Sequence, residues 1–86
     1  MEKYKVVLKT SGKRYAKEGK SILEGLQAMP LDWHNIKAKG TITVYQGKSK
    51  YELLFTLQRL KGIFMNKLTM QLWAKRLNVL LESKKV

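Results

Sequence analysis

Ile36-Lys37-Ala38-Lys39-Gly40-Thr41-Ile42-Thr43-Val44-Tyr45, followed by Gln46-Gly47 and then Lys48-Ser49-Lys50-Tyr51-Glu52-Leu53-Leu54-Phe55, is the stretch that decides how this chain folds. In its first arm Ile36, Ala38, Gly40, Ile42 and Val44 share one side of a two-residue period, and Lys37, Lys39, Thr41, Thr43 and Tyr45 share the other. Successive side chains of a strand point to opposite faces, so the alternation predicts a strand over 36–45 with one dry and one wet face. The β-branched residues gathered in it suit a pleated, half-buried surface. Gln46-Gly47 can form a two-residue turn, because Gly tolerates positive φ. Such a turn sets Ile42 opposite Tyr51, Gly40 opposite Leu53 and Ala38 opposite Phe55, small residues against large ones on the buried face.

The same alternation opens the chain. Tyr4, Val6 and Leu8 lie on one side of the period, with Lys3, Lys5, Val7 and Lys9 on the other. Ser11-Gly12 is a turn signal, and Lys13 to Gly19 returns as a second strand. That hairpin places Leu8 opposite Tyr15, Lys5 opposite Glu18 and Lys9 opposite Arg14. Like charges directly opposite each other are unfavourable, so Lys9 and Arg14 make most sense with an anion beside them.

Three helices complete the reading. Ser21 followed by Glu24 is a capping-box pattern, Ile22, Leu23, Leu26 and Met29 form an apolar stripe, and Pro30 ends the segment. Gly25 inside it costs about 1 kcal/mol relative to Ala, which points to close packing on the sheet. Residues 56–65 repeat apolar positions at helical spacing through Leu57, Leu60 and Ile63 or Phe64. After a break at Asn66-Lys67, Thr69 is a candidate cap for a last helix to about Leu81. Leu72, Trp73, Arg76, Leu77, Leu80 and Leu81 line one side of it, Met70 and Val79 lie off that side, and Ser83–Val86 reads as a frayed basic tail. Between the first helix and the central strand, Trp33 and His34 sit in a loop. Trp33 there suits either a lid on the core or a surface for a partner.

The element order is therefore β-β-α-β-β-α-α. A right-handed crossover through the first helix carries the third strand past the first. The expected fold is α+β, a single domain over 1–86 with a four-stranded antiparallel sheet of order 2-1-3-4 and the helices packed on one face. Eighty-six residues leave no room for a second core.

Composition narrows function. The chain has no cysteine, which excludes disulfides, thiolate zinc sites and cysteine catalysis. A single histidine cannot build a His-based metal site, and no phosphate-cradling Gly loop, nucleophile elbow or acidic cluster occurs. No enzyme, no cofactor, no metal and no small-molecule substrate is expected. No apolar run reaches membrane-spanning length and the N-terminus lacks a signal-peptide core, so a soluble, cytoplasmic protein without a membrane partner is expected.

Charge is the outlying property. Eighteen Lys and Arg against six Asp and Glu give a net charge of +12. Self-repulsion of that size is usually kept where a polyanion is the partner. Only Arg14, Arg59 and Arg76 are arginines. Lysine is a point charge suited to phosphate attraction, whereas Arg carries the fork that reads base edges. The expectation is a nucleic-acid-binding module, for DNA or RNA, meeting the backbone with the wet sheet face. Its candidate residues are Lys3, Lys5, Lys9, Arg14, Lys37, Lys39, Thr41, Thr43, Tyr45, Lys48 and Lys50. The alternative is a small assembly component, of a virion, mobile element or ribonucleoprotein, that docks on itself or a larger partner through its C-terminal helices. Met70, Trp73, Leu77 and Leu81 are the candidate partner-binding residues.

Overall fold

Gly12 and Gly47 carry positive φ, at 86° and 60°, and each sits in the turn of a hairpin. The computed structural model describes residues 3–31, 36 and 39–84. Around these turns run strands β1 (Tyr4–Thr10) and β2 (Lys13–Gly19), then β3 (Gly40–Gln46) and β4 (Ser49–Phe55). Helix α1 (Ile22–Ala28) joins the hairpins, and α2 (Leu57–Met65) and α3 (Lys67–Lys84) follow them. The sheet is antiparallel throughout, in the order β2-β1-β3-β4. This is the α+β arrangement that the element order implies, with all three helices against one face.

The first hairpin has the expected register, with Leu8 opposite Tyr15, Lys5 opposite Glu18 and Lys9 opposite Arg14. The second departs from expectation by two residues. Ile42 pairs with Leu53, Val44 with Tyr51 and Gly40 with Phe55, so Gly47-Lys48 forms the turn. Positive φ at the first turn position alone, on Gly47, is the type II′ pattern, which asks for Gly there and matches strand twist. A two-residue shift preserves which side chains face inward. Strand β3 also starts later than expected, at Gly40. Ile36 nonetheless contributes to the core, while Lys37 and Ala38 lie outside the described residues, as do Trp33 and His34.

Helix α1 begins as a capped helix should. Ser21 Oγ accepts from the Glu24 amide at 3.1 Å, and Glu24 Oε1 accepts from the Lys20 amide at 3.3 Å, one residue ahead of the cap itself. The helix lies over β1 and β2. Its Gly25 is buried so closely that a Cβ there would stand 2.8 Å from Val6 Cγ2. Val6, Leu8, Ile22, Leu26, Ile42 and Val44 are packed beneath and beside it in one apolar cluster.

Helix α3 is the spine of the helical layer, packing on α1, on α2 and on β4. It differs from expectation in its cap, its length and its buried stripe. Asn66, not Thr69, caps the helix: its Oδ1 accepts from the amides of Leu68 and Thr69 at 2.9 and 3.1 Å. The helix continues through Lys84, so Ser83 is helical, and its hydroxyl donates to the Leu80 carbonyl at 2.6 Å. The buried stripe is Met70, Ala74, Leu77 and Leu81, which makes Met70 a core residue and turns Leu72 outward. Among the described residues no helix is long and apolar enough to cross a membrane.

Two glycine substitutions should move stability in opposite directions. Gly25→Ala gains helix propensity but drives a methyl into the stiff, buried Val6, and should destabilise by about 1–3 kcal/mol. Gly62→Ala in α2 meets nothing within 4 Å and should stabilise by up to about 1 kcal/mol. Urea unfolding of both variants checks this, and a stabilised Gly25→Ala would contradict the close approach. In the same series Asn66→Ala should cost about 0.5–2 kcal/mol through loss of its cap.

Candidate nucleic-acid interface

The antiparallel register arranges the outer sheet face in three cross-strand rows. Arg14, Lys9, Thr41 and Leu54 form one margin, and Glu18, Lys5, Tyr45 and Lys50 form the other. Between them lie Ala16, Val7, Thr43 and Glu52. The helical layer packs on the opposite face, where Val6, Leu8, Ile42 and Val44 point. Lys9, Arg14, Glu18, Lys50, Glu52 and Leu54 are accordingly exposed.

Of the residues expected at an interface, the strands bring together Lys5, Lys9, Arg14 and Lys50. Lys3, Lys39 and Lys48 stand exposed at the strand ends beside them. Thr41 and Tyr45 are half-buried on the same face, and Lys37 lies outside the described residues. Thr43 is placed differently from expectation. It is 3% exposed and its hydroxyl donates to Glu52 Oε2 at 3.3 Å, so it supports the sheet and is withdrawn from phosphate contact. Val7 beside it is 1% exposed. The centre of this face is thus dry, and the charge is carried by the margins.

Glu18 and Glu52 also belong to this face and temper it. Both were detectable from the two-residue period, since Glu18 opposes Lys5 and Glu52 shares the parity of Lys50. Glu52 lies in the central row, and Glu18 makes the two margins unequal. The Lys5 margin includes Glu18. The Lys9–Arg14 margin has no carboxylate in its row, and two further lysines border it. Lys13 pairs with Thr10 at the hairpin end, and Lys39 immediately precedes Gly40, the β3 partner of Thr10. Lys9, Lys13, Arg14 and Lys39 therefore crowd the same end of β1. Charges on separate strands held side by side by a hydrogen-bonded ladder cannot disperse, so this margin concentrates positive charge.

The residues expected to bind a protein partner are largely internal. Met70, Leu77 and Leu81 are 7%, 0% and 0% exposed and belong to the core, which removes them from any docking surface. Trp73 is half-buried. Its ring meets Phe55 edge-on, with centroids 5.0 Å apart and an interplanar angle of 88°. The guanidinium groups of Arg76 and Arg59 lie over it at 5.2 and 5.9 Å, a favourable use of the ring's negative face. The apolar side chains that α3 does expose are Leu68, Leu72 and Val79. Among the described residues no group of three or more His, Cys, Asp or Glu side chains is placed to hold a metal ion.

Comparison of the chain with protein-family models, with curated proteins and with solved structures finds no match.

Lys9 opposite Arg14 is unfavourable for the folded chain alone, so Lys9→Glu should stabilise the fold, by about 0.2–1 kcal/mol at low salt. The gain should fade as salt is raised. Denaturant midpoints at low and high ionic strength provide the check, and a destabilised variant would mean that Lys9 has a structural partner.

Proposed function

We propose that this protein is a non-catalytic nucleic-acid-binding module whose outer sheet face meets the phosphate backbone. The observation that carries the reading is the Lys9–Arg14 margin, bordered by Lys13 and Lys39, in a chain of net charge +12. A pairing that costs stability in the free protein becomes favourable when a phosphate lies between the two cations. Lys5 and Lys50, with Lys3 and Lys48 at the strand ends, supply a second line of contact across the dry centre. Each phosphate neutralised releases condensed counterions, so binding is driven by entropy and weakened by salt.

The side-chain chemistry favours backbone contact over base reading. Lysine dominates the face, and Arg14 is its single fork-shaped cation among the described residues. Among the described residues Tyr45 is its one aromatic ring, flanked by Lys5 and Lys50 in the same row. Single-strand platforms stack two or three bases on successive rings, so one half-buried tyrosine supports duplex contact better. A cytoplasmic, soluble setting goes with such a partner.

Fluorescence anisotropy with labelled duplex and single-stranded DNA and RNA tests the proposal. Binding of about four phosphates gives a log–log salt slope near −4 for a duplex. Reversing both Lys9 and Arg14 to Glu should flatten that slope by about two units and weaken binding at every salt concentration. Glu18→Lys should tighten it. Absence of binding at low salt, or binding untouched by the double reversal, would remove the proposal.

A further inference from the structure

A second surface is built where α3 runs beside the β4 edge of the sheet. Among the described residues strand β4 ends the sheet, paired with β3 on one side only. An edge strand leaves alternate backbone N–H and C=O groups free, and natural proteins usually blunt or cover such an edge. Here Lys50 and Glu52 mark its outer face, but Leu54 next to them is 60% exposed. On the inner side an open groove of about 560 Å³ runs along the flank of α3 beside Leu53 of β4, lined also by Leu72, Trp73, Arg76, Val79 and Leu80. A second hollow of about 300 Å³ shares Leu53 and Trp73 and extends it past Phe55 to Arg59. Together they meet β4 at its C-terminal end, Leu53 to Phe55.

Leu72 and Val79 stand 50% and 60% exposed over this groove. They are not needed to close the core, which Met70, Ala74, Leu77 and Leu81 complete from the other side of α3. An open edge beside an apolar groove is what an added strand requires. Its backbone extends the ladder, and every second side chain drops into the groove. Charge identifies the occupant. The groove's rim carries Lys75 and Arg76, and the adjoining hollow carries Arg59. Both arginines are already drawn over the Trp73 ring. A second copy of this chain would bring the same cations against them, on top of a net charge of +12 per molecule. A partner segment that alternates acidic with aliphatic residues satisfies both the groove and its rim.

We propose that the β4 edge and the α3 groove bind an extended acidic–aliphatic segment of a partner protein by strand addition. Lys9 and Arg14 lie two and three strands away from this edge, and the proposal does not depend on the nucleic-acid reading.

The test uses the full chain, isotope-labelled for NMR. The probe is a synthetic peptide alternating Glu or Asp with Val or Leu over the length of β4. Expected shifts map to Tyr51–Phe55 and to the Leu72–Leu80 segment of α3. Leu72→Glu and Arg76→Glu, both at exposed positions, should each raise the dissociation constant about tenfold or more. The double reversal of Lys9 and Arg14 should leave it within about twofold. Four results would each overturn the proposal: no saturable binding, shifts confined to the outer sheet face, equal binding by a peptide with Gln in place of the acids, or displacement of the peptide from α3 by a DNA or RNA oligonucleotide. A dimer formed through Leu72 and Val79 in light scattering would do the same, because the occupant would then be a second copy.

Discussion

The close approach of α1 to β1, made possible because Gly25 has no side chain, is the contact on which the architecture depends. Residue 25 sits over Val6 with no space for a methyl group. With the helix held there, the chain leaving β2 must cross above β1 before it can return to the sheet. β3 then pairs on the remaining side of β1, and the two hairpins become one sheet with β1 and β3 at its centre. A larger residue would lift α1 and open the space that Ile22 and Leu26 fill. Burial of side chains of that size is worth roughly 1.5–3 kcal/mol each, a large share of a small domain's margin.

With the helices on one face, the other carries Lys5, Lys9, Arg14 and Lys50 at its margins around a dry centre. The sheet imposes order on it. Residues directly opposite on neighbouring strands stand only about 5 Å apart, so lysines and arginines that would avoid each other in a flexible chain are held together. Thr43 and Val7 keep the centre of that face dry while the margins stay wet. The outcome is two unequal cationic margins in place of a uniform field, with Glu18 and Glu52 as the moderating charges.

Helix α3 has to satisfy neighbours on more than one side, and this explains its breadth. Its inner stripe seals the core against α1, α2 and the sheet, while Trp73 sits at the flank between Phe55 and two guanidinium groups. Lys84 reaches the ring of Tyr51 on β4 at 5.7 Å, extending the same cation-on-aromatic theme to the end of the helix. What remains apolar and outward is confined to the strip facing the β4 edge and to Leu68. The charged stems along it cover part of that apolar surface, as long cationic side chains do.

Residue order by itself determined the strand faces, the first hairpin's pairing, the Ser21 cap, the meaning of Gly25 and the 2-1-3-4 order. All of these follow from local period, local turn chemistry and the handedness of one crossover. Tertiary structure decided the rest. The pairing of β3 with β4 slid by two residues, because a period of two specifies a face and leaves even-numbered shifts to the turn at Gly47. The rotation of α3 was open for a related reason. Apolar residues at Met70, Leu72, Trp73, Leu77, Val79, Leu80 and Leu81 surround most of its circumference. Only simultaneous packing on α1, α2 and β4 selected Met70 and Ala74 for the inside and Leu72 and Val79 for the outside. The same holds for Thr43, whose place in the outward alternation was legible but whose withdrawal beneath Glu52 required the neighbouring strand to be in position.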